Sequence, residues 1–305
     1  NDRSRPAGTA GHDPSESAVT TRRNTHRTAA AFLASRVSRL LPSLWTGIAL
    51  TTIVLTLLGS NDAVHDARTL IANMLMVAGY VGLPFVDGVY WTLAVEIKFY
   101  VLVLLLVAFG QLPNIHNWLV AWLFGLAASY TPYGMAWLKS LVIFPYGSYF
   151  VGGCFLFLIW RDGISRLRLV GVLASTVLSI LCVRMVTPGF VHQPGPVVNI
   201  VGAVVVVLFF AMLYMVASRR IELPDSALWI RLGELTYPLY LLHNRIGRAI
   251  GEWIRPLAGV ELALTAAILV PFLLAALIAR TVERRACPWL RRALMRVARR
   301  IGLRT

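Results

Sequence analysis

Apolar runs of about the length of a transmembrane helix follow one another along most of this 305-residue chain. A helix needs about 20 mostly apolar residues to cross the hydrocarbon core of a bilayer. Eight such runs are bounded by charge, Pro or Gly, namely 40–58, 90–109, 118–133, 141–160, 169–186, 197–217, 235–253 and 260–279. We therefore predict an all-α, polytopic integral membrane bundle of about eight transmembrane helices. A ninth run, 70–85, is interrupted by Asn, Gly and Pro and is predicted to be a loop against the membrane.

The composition agrees with a membrane protein. Apolar residues make up 57% of the chain and charged residues 14%, whereas soluble domains carry about 25% charged residues. A net charge of +15 would indicate nucleic-acid binding in a soluble protein. Here the arginines lie before the first apolar run, in two short loops and at the C-terminus, which is how orientation across a bilayer is set. We therefore expect the lipid bilayer as a partner, and no nucleic acid.

The distribution of charge predicts an orientation. With eight spans both termini lie on one side, and both termini are strongly basic. The loops on that side hold most of the loop arginines, at 161–168 and 219–231, while the opposite loops hold isolated charges such as Arg68 and Lys139. The positive-inside rule therefore places both termini in the cytoplasm. Three further arginines, Arg245, Arg248 and Arg255, lie near the outer end of the seventh span, where orientation does not need them.

Three segments follow from this map. Residues 1–31 are predicted to form a polar, disordered cytoplasmic tail, residues 32–282 a transmembrane domain, and residues 283–305 a basic amphipathic tail. In the last segment Leu290, Leu294, Val297 and Ile301 recur at helical spacing among many arginines. Such a helix is suited to lie on an anionic cytoplasmic leaflet.

The cysteines carry no visible chemistry. Cys154, Cys182 and Cys287 are too few and too scattered for a disulfide framework, and none has a metal-ligand neighbour at the spacing that zinc requires. We expect them to be packing residues, and we expect neither a metal site nor a permanently bound cofactor.

Glu96 is the first candidate functional residue, because an ionisable side chain within a span costs about 2.5–3.5 kcal/mol on insertion scales. Thr92, Glu96 and Tyr100 recur every four residues and so share one helix face. A carboxylate flanked by hydroxyls could orient a substrate hydroxyl. The alternative is a structural ion pair between Glu96 and Arg245 or Arg248.

His243 is the second candidate. A neutral imidazole can take a proton from a hydroxyl as a general base, although a lone His in a span is more often a hydrogen-bonded packing residue. Arg36 and Arg39 stand three residues apart just before Pro42 and the first span. Two guanidinium groups on one helix face form a fork for phosphate oxygens, and they serve equally well as a signal for membrane orientation.

Four stretches in order resemble acyltransferase family 3, the membrane proteins that O-acylate bacterial surface polysaccharides and related exported molecules. They are SRVSRLLPSLW, WTLAVEIKFYVLVLL, FPYGSYFVGGCFLFL and LGELTYPLYLLHNRI. They look like the basic pair that leads through Leu-Pro into a span, the Trp-x-Leu-x-Val-Glu-x-x-Phe-Tyr signature, the helix with paired Gly, and the segment ending in Leu-Tyr-Leu-x-His. The resemblance covers residues 32–279.

The resemblance implies a membrane-bound O-acyltransferase in the bacterial inner membrane. It would move an acyl group, expected to be acetyl, from acyl-CoA to a hydroxyl of an exported carbohydrate or lipid-linked saccharide. Glu96 and His243 would be catalytic, and Arg36 and Arg39 would grip the phosphates of coenzyme A. The signature residues expected to contact substrate are Trp91, Tyr100 and Tyr240.

One departure from the family pattern bears on whether this chain is active. The family usually opens with two spans ahead of the basic pair, the first carrying a basic residue and then the His thought to be catalytic. Neither span precedes Arg36 here, and His12 and His26 lie in the polar stretch. We therefore expect either a truncated sequence or an inactive relative of the family. A transporter is a further alternative, but the internal repeats expected of one are not visible.

Overall fold

The computed structural model describes residues 14–64, 66–132, 134–189, 195–222, 224 and 226–300, with side chains from residue 29 onward. Within these ranges the chain is helical with connecting turns, and no β-strand occurs. The α-helices are α1 Pro14–Leu57, α2 Ala67–Met74, α3 Trp91–Ala108, α4 Ile115–Ser129, α5 Ala136–Leu141, α6 Gly147–Asp162, α7 Arg166–Val186, α8 Pro196–Ala217, α9 Ala227–Leu242, α10 Arg245–Ile278 and α11 Arg284–Arg300. A π-helix, Ala279–Glu283, joins α10 to α11. The predicted all-α fold is confirmed.

Among the described residues, five helical segments are long and apolar enough to cross a membrane. They are Ala29–Leu57, Gly88–Ala108, Arg166–Gly189, Pro196–Ala217 and Arg245–Arg300. These five contain the predicted spans 40–58, 90–109, 169–186, 197–217 and 260–279, apart from a residue at some ends. An integral membrane bundle is therefore supported, although fewer helices reach full length than the eight that the sequence predicts.

The remaining three predicted spans correspond to shorter helices. α4 has 15 residues and α6 has 16, so each is shorter than the roughly 20 residues of a full span. α6 begins only at Gly147, because a turn at Ile143, with φ of 58°, and the imide of Pro145 precede it. The predicted span 235–253 is divided, since α9 ends at Leu242 and α10 begins at Arg245.

α10 consists of two helices that fold back on each other. Gly259 has φ of 81° and interrupts the helical backbone, a conformation that glycine adopts without strain. A Cβ added to Gly247 would lie 2.8 Å from the carbonyl oxygen of Ala267, and one on Gly251 would lie 3.5 Å from the Ala267 Cβ. Residues twenty apart touch only if the chain reverses, so α10 is a hairpin with small residues at its seam.

The chain divides into two compact units. The first contains residues 1–90, 100–112 and 235–305, and the second contains residues 91–99 and 113–234. In the first unit α1 packs against α10, the π-helix and α11. The apolar face of α11 predicted from the sequence is half-buried at Leu290 and Leu294, whereas Val297 is exposed and Ile301 lies outside the described residues.

The polar stretch at the N-terminus is helical where it is described. α1 begins at Pro14, inside the predicted tail 1–31, and continues without a break through the first predicted span to Leu57. Residues 1–13 lie outside the described part of the chain. The boundary at residue 31 therefore marks a change in composition and not a change in backbone conformation.

The core of the second unit is formed by α4, α6, α7 and α8. Phe155 of α6 is fully buried, and a Cβ on Gly171 of α7 would collide with its ring. Gly152 of α6 is placed similarly, since a Cβ there would overlap the ring of Phe210 and lie 3.0 Å from the Ser175 Cβ. The absence of a side chain at these glycines lets the helices approach closely, as is common in membrane bundles.

We predict that Gly152→Ala destabilises the protein, because the added methyl group overpacks the contact with Phe210, at a cost of about 1–3 kcal/mol. Gly153→Ala is the matched control, since a Cβ at that position meets nothing within 4 Å. The control is expected to be neutral or to stabilise the helix by up to about 1 kcal/mol. Thermal unfolding of both variants in the same detergent measures the difference, and equal midpoints would contradict the packing described.

Candidate functional site

The boundary between α9 and α10 is organised by a buried carboxylate. Asp87 is fully buried and belongs to a segment, residues 87–90, that we call the clamp. Its Oδ1 accepts hydrogen bonds from Asn244 Nδ2 at 2.8 Å and from the backbone N–H of Val89 at 3.1 Å. Its Oδ2 accepts the backbone N–H of Arg245 at 2.9 Å. The carboxylate therefore caps the first turn of α10, where helix dipoles favour negative charge.

The clamp also compensates for the helical hydrogen bond that is lost at this boundary. In a continuous helix the N–H of Arg245 would donate to the carbonyl of Leu241, but it donates to Asp87. The Leu241 carbonyl accepts instead from the Tyr90 hydroxyl, at 3.4 Å. A further bond runs from the Tyr240 hydroxyl to the Val89 carbonyl, at 3.0 Å. Both polar groups freed by the break are thus satisfied, as a buried backbone requires.

His243 lies at this break, and its side chain is exposed. Its Nδ1 is 2.9 Å from the carbonyl oxygen of Tyr240. A carbonyl oxygen only accepts hydrogen bonds, so Nδ1 carries the proton in this contact. The neutral imidazole then has its lone pair on Nε2, which is the arrangement that a general base requires.

The outer arginine cluster supports the same break. The Nη1 atom of Arg245 donates to the Asp62 carbonyl at 2.7 Å and lies 3.8 Å from the Asp62 carboxylate. Arg248 reaches the same carboxylate at 3.5 Å. These two arginines thus tie the start of α10 to the segment that follows α1. Asp62 is half-exposed, so each pair contributes little free energy and mainly sets position.

The loop that leads into the clamp is held by Asn73, which is buried. Its Nδ2 donates to the carbonyls of Thr69 and Pro84, and its Oδ1 accepts the N–H of Val86 at 3.0 Å. The short helix α2 is capped by Asp66, and the hydrogen bonds from Thr69 lower the pKa of that carboxyl below its usual value. The run predicted as a loop against the membrane is therefore an ordered support for the clamp.

Arg36 lies near the other end of the membrane segment of α1. Its guanidinium lies over the rings of Phe32 and Tyr100, at 5.6 and 5.5 Å from the ring centroids. Its Nε atom is buried, and no described residue accepts a hydrogen bond from it. The side chain is thus held by aromatic rings while a charged N–H stays available.

Arg39 follows one turn later on α1 and is exposed. α1 packs against α11 in the first unit. Further along α1, buried Ser43 donates to Glu283 Oε1 at 2.7 Å and so ties α1 to the π-helix. The basic pair therefore stands where α1, the π-helix and α11 meet.

α3 carries the remaining predicted site residues. Trp91–Ala108 is a helix, so Thr92, Glu96 and Tyr100 share a face as the spacing predicts. Glu96 is partly buried. Trp91 packs against Tyr146, with 5.0 Å between ring centroids, inside the second unit.

The structure brings some predicted site residues together and separates others. Arg36 contacts Tyr100, and Tyr240 lies beside His243, with 5.7 Å between ring centroids. Tyr237 donates to the Leu40 carbonyl and Leu241 lies against Gly47, so α9 runs alongside α1 in the same direction. Eleven residues separate Arg36 from Gly47, or about 16 Å along the helix axis. The basic pair and His243 therefore lie at different depths of the first unit.

Asp87 was not predicted from the sequence. It falls between two apolar stretches in VDGVYW, where Asp-Gly indicates no more than a turn. Its partners in α10 and at the N-cap of α10, Arg245 and Asn244, are more than 150 residues away, so only the folded structure relates them. The sequence identified Arg245 and Arg248 as charges that membrane orientation does not need. It did not identify Asp62 as their partner.

Comparisons with known proteins give one match. A family model described as an acyltransferase domain, that of acyltransferase family 3, matches residues 17–280. The match includes all the helices from α2 to α10 and most of α1. No curated protein and no solved structure matches the chain.

We predict that Asp87→Ala destabilises the first unit by about 3 kcal/mol, because it leaves the N–H of Arg245 and the amide of Asn244 buried without an acceptor. Asp87→Asn keeps one acceptor oxygen and is expected to lose less. Glu261→Ala, which removes an exposed carboxylate from α10, is the control and should stay within about 0.5 kcal/mol of the wild type. Thermal unfolding measures all three variants. An Asp87→Ala variant as stable as the control would show that the carboxylate is dispensable.

Proposed function

The chain belongs to acyltransferase family 3 of membrane proteins, and from this premise we propose that it is an O-acyltransferase that uses acyl-CoA. The acyl group is proposed to be acetyl, and the acceptor a hydroxyl of an exported carbohydrate or lipid-linked saccharide. Coenzyme A is a substrate in this proposal and no cofactor is permanently bound.

The observation that supports this function most directly is the contact of His243 Nδ1 with the Tyr240 carbonyl. That contact selects the tautomer with an unprotonated Nε2, and the clamp fixes the backbone on both sides of the imidazole. A base held in one tautomer and in one place needs no reorganisation before proton transfer.

The proposed reaction is a direct acyl transfer. His243 Nε2 takes the proton from the hydroxyl of the acceptor substrate. At the same time the oxygen of that hydroxyl forms a bond to the carbonyl carbon of the thioester. The carbon–sulfur bond then breaks, and the coenzyme A thiolate takes the proton from the imidazolium. One ester and one free thiol result from one hydroxyl and one thioester, and the histidine returns to its neutral form.

The donor is proposed to bind at the basic pair. A phosphate oxygen would accept the buried N–H of Arg36 Nε, and the exposed guanidinium of Arg39 would meet a second phosphate group. Charge-assisted bonds of this kind are strong, and an arginine fork matches phosphate geometry. Acyl-CoA carries its acyl group at the end of a long pantetheine arm, which suits a phosphate site set about 16 Å along α1 from the level of Gly47.

Further roles are proposed for the family signature. Glu96 is proposed to orient the acceptor hydroxyl, and Trp91, Tyr100 and Tyr240 are each proposed to contact substrate. The Tyr240 hydroxyl already donates to Val89, so its ring, and not its hydroxyl, would face the substrate. We propose a location in the bacterial inner membrane with both termini cytoplasmic, because the donor is cytoplasmic and the ends are basic. Reporter fusions at each end that both read inside would support this orientation.

We predict that His243→Gln lowers kcat for acyl transfer by at least about 10², because the base that accepts the hydroxyl proton is removed. Coenzyme A binding and thermal stability should not change. His116→Gln is the control, since His116 accepts a hydrogen bond from Arg168 in the second unit. The assay measures the rate at which ester-linked acyl groups form in an acyltransferase-deficient host. Full activity of His243→Gln would exclude this base, and the loss of activity in Glu96→Gln alone would transfer the role to Glu96.

We predict that Arg36→Gln and Arg39→Gln each weaken coenzyme A binding about tenfold, since a hydrogen bond to a charged group contributes about 1.5–3 kcal/mol. Arg36→Lys should lose nearly as much, because an ammonium keeps the charge but not the Nε donor. Arg68→Gln removes an exposed charge from α2 and is the control. Calorimetric titration with coenzyme A measures the effect. Unchanged affinity with normal membrane insertion would return the pair to a role in orientation.

A further inference from the structure

A cavity of about 360 Å³ opens in the second unit where α6 and α8 end and α7 begins. Arg161, Ser218 and Arg219 give it polar walls, and Trp160 and Ile164 give it apolar ones. Trp160 and Ile164 are each 51% exposed, and Trp is enriched at membrane–water interfaces. The cavity therefore joins a basic region to a surface suited to lipid.

Arg219 adopts a backbone conformation that favours glycine. Its φ is 57°, and its N–H donates to the Val216 carbonyl as it ends α8. Glycine or asparagine satisfies this left-handed position without the steric cost that a long side chain brings. The described residues offer Arg219 no side-chain hydrogen bond and no ion pair. The left-handed backbone closes α8, since the N–H groups of Arg219 and Arg220 donate to the carbonyls of Val216 and Met215. The helix end does not require a charged side chain at this position, so the guanidinium of Arg219 can serve a ligand.

Arg161, which lines the cavity, is paired with a neighbouring carboxylate. Arg161 donates two hydrogen bonds of 2.7 Å to Asp162, and Arg168 contacts the same carboxylate at 3.3 Å. Arg168 also donates to the Gly163 carbonyl. The guanidinium of Arg161 has five N–H groups, so three remain after the pair with Asp162. The guanidinium of Arg161 is thus positioned by Asp162 and can still donate hydrogen bonds to a ligand.

Charge at this end of the unit is strongly positive. Residues 159–168 and 217–222 hold five arginines and two carboxylates, Asp162 and Glu222. Membrane orientation explains a positive loop, and helix dipoles explain arginines at the ends of α6 and α8. Neither explanation requires a cavity at this place. The next residue, Arg220, lies over the Tyr214 ring, 5.8 Å from its centroid, and so differs from Arg219 in having a partner within the described part of the chain.

We propose that this cavity binds the headgroup phosphate of an anionic phospholipid from the surrounding leaflet. Arg219 and Arg161 donate to the phosphate oxygens, Ser218 supplies a hydroxyl, and Trp160 and Ile164 contact the glycerol and upper acyl chain. A lipid fits better than a soluble phosphate because exposed apolar side chains, Trp160 and Ile164, stand beside the basic ones. All the residues that line the cavity belong to the second unit, and none of them is proposed for acyl transfer.

The test uses the full chain purified in detergent and titrated with phosphatidylglycerol, with native mass spectrometry to count bound lipid. Arg219→Asn removes the charge, and asparagine tolerates the left-handed backbone. We expect about tenfold weaker phosphatidylglycerol binding in this variant. Arg220→Asn removes the same charge next to the cavity and should bind within about twofold of the wild type. Arg219→Gly provides a second variant with a relaxed backbone and should match Arg219→Asn.

Three results would overturn the proposal. Equal losses in Arg219→Asn and Arg220→Asn would mean that a diffuse positive surface, and no defined site, attracts the lipid. Equal binding of phosphatidylcholine would remove the role of net lipid charge. Inorganic phosphate that displaces phosphatidylglycerol at millimolar concentration, or that raises the unfolding temperature to the same extent, would assign the cavity to a soluble anion.

Discussion

The first unit depends on the buried carboxylate of Asp87. One side chain receives hydrogen bonds from the N-cap residue of α10, from the first residue of α10 and from its own segment. Asp87 is fully buried and its partners are partly buried, so each group would cost free energy if it were left without a hydrogen bond. A polar partner from a different part of the chain therefore stabilises the break between α9 and α10. His243 lies at that break and is exposed.

The proposed chemistry is spread along α1 and α9. The arginine pair belongs to the region where α1 meets the π-helix and α11, while His243 belongs to the region where α9 meets the clamp. A donor that is long and charged at one end suits such a separation, since its phosphate groups and its thioester need different surroundings. The same separation allows affinity for the donor and the rate of transfer to be altered by different residues.

The sequence predicted those parts of the structure that depend on local pattern. Five apolar runs became helices of spanning length, and the four-residue spacing of Thr92, Glu96 and Tyr100 gave one face of α3. The division of the span 235–253 was not predicted, because a hydropathy window averages over His243 and Asn244 and contains no information about Asp87. Nor did pattern reveal that Arg248 faces Asp62. These contacts join residues more than 150 positions apart, and a single sequence does not pair them.

The π-helix at Ala279–Glu283 has a consequence for how α11 meets its neighbour. Each residue of an α-helix turns the chain by about 100°, and a π-turn accommodates one additional residue without breaking the rod. The π-turn therefore absorbs a residue that in a regular α-helix would rotate every later residue by about 100°. Because the residue is absorbed, Leu290 and Leu294 of α11 stay half-buried while Arg291 and Arg292 beside them stay exposed. Removing one residue from the π-turn is expected to leave an ordinary α-helical turn and the same face of α11 toward α1.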